Sequence, residues 1–116
     1  MINRSADGAL FRVDPATGVA DRIKTTGLVL TSGDGLELRG STLYDGYGCN
    51  RDGIAVSKLG DGARTAKVSR ELTDSDLDRP TTATLVAGAL WTVNGRFSTP
   101  PTPTTSYSVV RVATRR

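Results

Sequence analysis

The sequence predicts an all-β protein made of repeated antiparallel sheets, and three observations carry this prediction. First, helix signals are poor, because the 116 residues include 13 Gly and 5 Pro and no window sustains an apolar stripe of helical period. Second, short runs rich in Val, Thr, Leu and Tyr are bounded by Gly, Asp and Pro, as strands usually are. Third, a strand, tight turn and strand occur twice, as GDGLELRGSTLYD from Gly33 and as TATLVAGALWTVN from Thr82.

The strand-like runs give nine predicted strands, with Met1–Asn3 as the end of a tenth. In chain order they are Ala9–Asp14, Val19–Thr25, Gly35–Arg39, Thr42–Tyr47, Ile54–Leu59, Ala66–Leu72, Ala83–Val86, Leu90–Asn94 and Ser106–Val112. The segment Thr73–Pro80 suits either a loop or a single helical turn. The short links DPATG, RGST, LGDG and AGAL are typical of tight reversals, so the strands are predicted to follow one another as an antiparallel meander.

A repeat of about 40 to 50 residues organises these strands, as in the blades of a β-propeller. The similar pieces LFRVD, VSKLG and VVRVA begin at residues 10, 56 and 109, and Leu43-Tyr44 corresponds to Leu90-Trp91. We therefore predict a single partial propeller domain over 1–116, with about two and a half four-stranded antiparallel blades. Residues 1–34 hold the end of one blade and a connection, 35–80 a complete blade, and 81–116 strands A to C of a third blade.

Composition excludes several classes of function. The chain has no His and a single Cys, Cys49, which rules out an intrachain disulfide, Ser-His-Asp and Cys-His catalysis and His-based zinc sites. The net charge is +3, yet Arg and Lys are scattered, so no nucleic-acid partner is expected. The longest apolar run, Gly27–Leu30, is too short to cross a membrane. No signal peptide is visible, so the chain as written is expected in the cytoplasm.

Four stretches that cover nearly the whole chain carry a resemblance to a known family. They are LFRVDPATGVADRI, GDGLELRGSTLYD, DRPTTATLVAGALWTVNGRF and TPPTPTTSYSVVRV. Together they resemble the C-terminal part of the six-bladed senescence-marker-protein/gluconolactonase-like propellers, and more closely an actinobacterial branch of that superfamily.

The resemblance implies a propeller fold and a site at the channel mouth, where catalytic members bind a divalent cation, usually calcium, through Glu, Asn and Asp. Members of the family are often exported, which leaves the localisation open. Here Asp34 stands about where an Asn-Gly motif would open a blade, and the position expected to carry Asp falls near Tyr47. No catalytic residue is therefore assigned.

Candidate site residues are expected on one end of the sheets. If the plain turns share one end, the longer polar connections must share the other, and loops of this kind often carry function. We predict that Asp34, Asn50, Asn94 and Arg96 bind a small polar ligand there, with no metal ligand and no cofactor. An alternative is calcium or another divalent cation held by Asp34, Asp45 and Asp52. A competing interpretation is that Asp45 and Asp52, each followed by Gly, only stabilise turns.

The function predicted from these features is a propeller-type binding or scaffold module that is not catalytic as an isolated chain. Its expected partners are a small polar ligand and either further copies of itself or the missing blades, with no membrane partner. Trp91 is expected to pack between blades. The alternatives are a metal-dependent lactonase-type hydrolase that is active only when the remaining blades are supplied, and a truncated gene product without a selected function.

Overall fold

The computed structural model describes residues 1–47 and 51–115, and within them the chain forms strands and turns without a helix. The strands are β1 (Ile2–Arg4), β2 (Ala9–Val13), β3 (Ala20–Arg22), β4 (Lys24–Gly27), β5 (Gly33–Arg39), β6 (Thr42–Tyr47), β7 (Gly53–Gly60), β8 (Thr65–Thr73), β9 (Pro80–Val86), β10 (Ala89–Asn94) and β11 (Val109–Ala113). The all-β prediction is confirmed.

These strands form three sheets. The first sheet has the order β1-β2-β3, the central sheet β4-β8-β7-β6-β5 and the third sheet β11-β10-β9. Neighbouring strands are antiparallel everywhere except at the edge of the central sheet, where β4 runs parallel to β8.

The parallel strand β4 corrects the predicted meander, which had a single strand over Val19–Thr25. The backbone N–H of Ile23 donates to the carbonyl of Leu10 in the first sheet, whereas that of Lys24 donates to the carbonyl of Arg64, next to the central sheet. The chain therefore changes its hydrogen-bond partner between these two residues. Ile23 is only 2% exposed and anchors the crossing in the core.

The register of β5 to β7 recurs in β9 to β11. Tyr44 lies opposite Val56 on one side and Glu37 on the other. Trp91 lies opposite Arg111 and Thr84 in the same way. Tyr44 and Trp91 therefore occupy corresponding positions in the central and third sheets.

The two-residue turns support this register. Ala87 and Gly88, between β9 and β10, have φ of 48° and 77°, the pattern of a type I′ hairpin turn. Gly40, between β5 and β6, has φ of 57°. Glycine suits such positions because a side chain there would be strained.

The core lies in two layers, one on each face of the central sheet. Successive side chains of a strand point to opposite faces, and β6 illustrates the consequence. Leu43 and Tyr47 pack with Leu10 of the first sheet, whereas Tyr44 packs with Leu90 and Val112 of the third sheet. Full burial of an aliphatic or aromatic side chain contributes roughly 1.5–3 kcal/mol. The three sheets are therefore stacked face to face, with the central sheet covered on both sides.

Candidate functional site

The irregular segments lie together at one end of the stack, which we call the loop end. Because neighbouring strands are antiparallel, β5, β7, β9 and β11 start at the end where β6, β8 and β10 finish. Hydrogen bonds join the segments that connect these strands. The backbone N–H of Arg79 donates to Oδ1 of Asp52 at 2.8 Å, and the backbone N–H of Ser32 donates to the carbonyl of Ser5 at 2.8 Å. The predicted placement of the longer connections at one end is therefore observed.

One polar cluster at the loop end joins the first and central sheets. Nδ2 of Asn3, on β1, donates to Oδ1 of Asp45 at 3.2 Å and to the carbonyl of Asp34 at 3.0 Å. Asp45 lies on β6 and is fully buried, and its Oδ2 has no hydrogen-bond partner among the described residues. The space beside it depends on Gly33, since a Cβ there would lie 2.6 Å from Oδ2 of Asp45.

Burial governs the protonation of Asp45. It raises the pKa of this carboxyl from 3.8 to about 7, although the hydrogen bonds from Asn3 and from the backbone of Asp34 favour the charged form. The negative charge of Asp34 adds a small increase in the pKa. A carboxyl in this state can hold a proton near neutral pH while it bridges two sheets.

The turn interpretation of Asp45 is wrong, because this residue lies within a strand and its side chain bonds to another sheet. For Asp52 the structure shows a side-chain to backbone hydrogen bond, as that interpretation expects, but the bond joins two separate segments and does not close a turn. Its carboxylate accepts from a backbone N–H, although that group belongs to Arg79, a residue 27 positions away. Among the described residues, no group of three or more His, Cys, Asp or Glu side chains could hold a metal ion.

A second cluster at the loop end surrounds Asn94, which is 2% exposed at the end of β10. Its Oδ1 accepts from the backbone N–H of Asp78 at 2.9 Å. Its Nδ2 donates to the carbonyl of Asp76 at 2.8 Å and to Oγ of Ser108 at 3.0 Å. The amide thus fastens the segment after β8 to the segment before β11, and these internal bonds occupy both of its polar atoms.

Arg96 borders the same cluster. Its Nε donates to Oδ2 of Asp78 at 3.0 Å, and a terminal nitrogen donates to the carbonyl of Ser106 at 2.8 Å. A shallow cavity of about 300 Å³ opens here, lined by Asn94 and Arg96 together with Asp76, Asp78 and residues 106–108. The cavity carries both charge signs, so it suits a small polar molecule rather than a purely anionic one.

The predicted ligand-binding residues therefore divide between two places. Asp34 is exposed beside Asn3 and Asp45, whereas Asn94 and Arg96 meet around the segment after β8. The fourth predicted residue, Asn50, lies outside the described residues, as does Cys49.

A further surface is the side of the third sheet that points away from the central sheet, which we call the open face of the third sheet. Leu90 and Thr92 point toward the central sheet and are fully buried, so the alternate residues point outward. On β10 these are Trp91 and Val93, which are 41% and 39% exposed, and opposite Val93 on β11 is Val109, which is 58% exposed. Single exposed apolar residues are ordinary, but a contiguous group on one sheet face indicates a contact surface.

No helix long and apolar enough to cross a membrane occurs among residues 1–47 and 51–115. Comparison of the chain with protein-family models, with curated proteins and with solved structures found no match.

Proposed function

We propose that the chain is a propeller-type scaffold and binding module, not catalytic on its own, in which the three sheets are successive blades. The face-to-face order of the sheets carries this proposal. One face of the central sheet packs on the first sheet and the other on the third. Propeller blades, which are four-stranded sheets arranged around a common axis, pack on their neighbours in the same manner.

The repeated register supports the proposal. Leu43 and Leu90 both turn toward the preceding sheet, while Tyr44 and Trp91 turn the other way. The corresponding strands β5 and β9 also contact each other, since the backbone N–H of Leu85 on β9 donates to Oε1 of Glu37 on β5 at 3.0 Å. Strands β5 to β7 and strands β9 to β11 thus share one pattern of pairing, as repeated blades would.

The loop end is the proposed location of a ligand. The cavity there offers the partly exposed guanidinium of Arg96 together with the carboxylates of Asp76 and Asp78, while the exposed carboxylate of Asp34 lies in the separate cluster beside Asn3 and Asp45. A small polar molecule with hydroxyl groups matches this mixture of donors and acceptors. Nothing in the described residues favours the metal-dependent hydrolase, so that alternative is not proposed.

The scaffold function is tested by asking whether the open face of the third sheet accepts apolar molecules. The wild-type chain, at a dilution where it is monomeric, should bind a fluorescent apolar dye. Replacing both Val93 and Val109 with Asp should remove most of that binding, while Val29→Asp should preserve it, because Val29 is 63% exposed but lies in the segment between β4 and β5. Equal dye binding by all three proteins, or none by the wild type, would contradict the proposal.

A further inference from the structure

We propose that the open face of the third sheet docks on the outward face of the first sheet of a second copy of this chain, so that copies join head to tail. This inference rests on the proposed scaffold function and names its partner. It follows from how the three sheets of one chain already contact one another.

The open face of the third sheet corresponds to a face that is buried in the central sheet. On the central sheet, Tyr44, Ile54 and Val56 are 8%, 0% and 5% exposed, because the third sheet covers them. The residues at the matching register positions of the third sheet are Trp91, Val109 and Arg111. The exposed face of the third sheet therefore corresponds to the face of the central sheet that packs on the next sheet.

The other end of the stack has a second outward face. Leu10 and Asn3 of the first sheet point toward the central sheet, so Ile2, Phe11 and Arg22, which lie opposite one another in the next row, point away from it. Ile2 is 51% exposed and Phe11 is half-buried. This outward face of the first sheet therefore also carries apolar side chains.

Which sheet faces pack on each other within the chain decides between head-to-tail and symmetric docking. Within the chain, the face that bears Tyr44 receives the face that bears Leu90, and two faces of the same kind never meet in the described stack. The two faces left open are one of each kind. Head-to-tail docking of a second copy therefore continues the contact already present between the central and third sheets.

The side-chain chemistry of the two faces is compatible with this docking. Each face combines an aromatic ring with arginine: Trp91 lies opposite Arg111 on the third sheet, and Phe11 lies opposite Arg22 on the first. The guanidinium of Arg4 already lies 5.3 Å from the centroid of the Phe11 ring. Arginine over an aromatic ring is a favourable contact, and the surrounding valines and isoleucine supply apolar area.

Heterologous contacts of this kind close into rings when the rotation between subunits allows it. Two copies would supply six described sheets, within the four to eight blades of closed propellers.

The experiment uses two variants, each blocked at one face. The third-sheet variant carries Val93→Asp and Val109→Asp, and the first-sheet variant carries Ile2→Asp and Phe11→Asp. A second first-sheet variant, Arg22→Glu, changes only an exposed residue and replaces the first if that one does not fold. Val29→Asp is the matched control, and circular dichroism with cooperative unfolding checks the fold of each protein.

Light scattering gives the mass of the particles as the protein concentration rises, and Trp91 reports on the contact because it is the only tryptophan. Wild type and control should associate with a shift of emission to shorter wavelengths. Each blocked variant alone should associate at least tenfold more weakly. A mixture of the two should regain a particle of twice the chain mass of 12.2 kDa, because each partner still has one open face.

Three outcomes would overturn the inference. If the first-sheet variant alone still forms dimers, the third sheets pair with each other. If the mixture stays monomeric, the two faces do not fit. If the wild type is monomeric at every concentration, a second copy is not the partner. The dye measurement alone then tests the scaffold function.

Discussion

Replacing Asp45 with Asn removes the buried carboxyl group between the first and central sheets and keeps the shape of the side chain. In the wild type, burial raises the pKa of Asp45 from 3.8 to about 7, so the folded chain binds this proton more tightly than the unfolded chain does. The resulting stability is complete below about pH 4 and is lost as the pH rises through about 7.

The size of the change in the free energy of unfolding follows from these two pKa values. Between pH 5 and pH 8 the free energy of unfolding of the wild type should fall by roughly 2.5 kcal/mol on account of Asp45 alone. The chain has no histidine, which would otherwise titrate in this interval. The pKa of Asp7 is held far below its usual range by the hydrogen bond from Arg4, so the stability that Asp7 contributes is lost only below about pH 4.

Urea unfolding at pH 5, 6, 7 and 8 measures the effect. The Asp45→Asn chain should lack the decline, while Asp21→Asn, a change at an exposed carboxyl, should retain it. A decline of equal size in wild type and Asp45→Asn would refute the assignment of a buried proton to Asp45. A gain in stability of the wild type across this interval would contradict the assignment as well.

Four further substitutions, with Gly40→Asn for comparison, test the turns and the loop end. Gly40→Val and Gly88→Val should each lower the free energy of unfolding by about 1–2 kcal/mol, because valine is strained at the φ of 57° and 77° found there. Gly40→Asn should lower it less. If neither valine variant lost stability, these turns would be misplaced. Asn94→Ala should cost about 2–3 kcal/mol, since it removes three hydrogen bonds made by a side chain that is 2% exposed. Arg96→Ala should cost only about 1 kcal/mol, because its partners remain accessible to water. Urea unfolding measures both variants. A larger loss of stability for Arg96→Ala than for Asn94→Ala would contradict the hydrogen-bond assignment.

Most strands could be predicted from the sequence because local chemistry fixes them. The turn residues Gly40 and Gly88 mark hairpins on their own, and Leu43, Tyr44, Leu90 and Trp91 repeat at constant spacing. The split at Ile23 could not be predicted in this way. It depends on the carbonyl of Arg64, which only the folded chain brings next to Lys24.

The candidate site was predicted less well, for a related reason. An Asp followed by Gly favours a turn, and this local preference hid Asp45. The available signal was its alternation with Leu43 and Tyr47, which predicts a side chain on the buried face of β6. The bonds of Asn94 depend on the conformation of segments that carry no regular pattern, so the sequence places this residue at the loop end without giving its partners.

The parallel pairing of β4 with β8 imposes an order on folding. β7 and β8 are joined by a turn of four residues, whereas Lys24 on β4 lies opposite Thr65, 41 positions later. Closing the longer connection costs about 2 kcal/mol more in chain entropy than closing the short turn. β4 can add to β8 only after the central hairpins have formed, because β8 supplies the edge that it joins. β4, although it precedes the central hairpins in the chain, is therefore added to the central sheet after them.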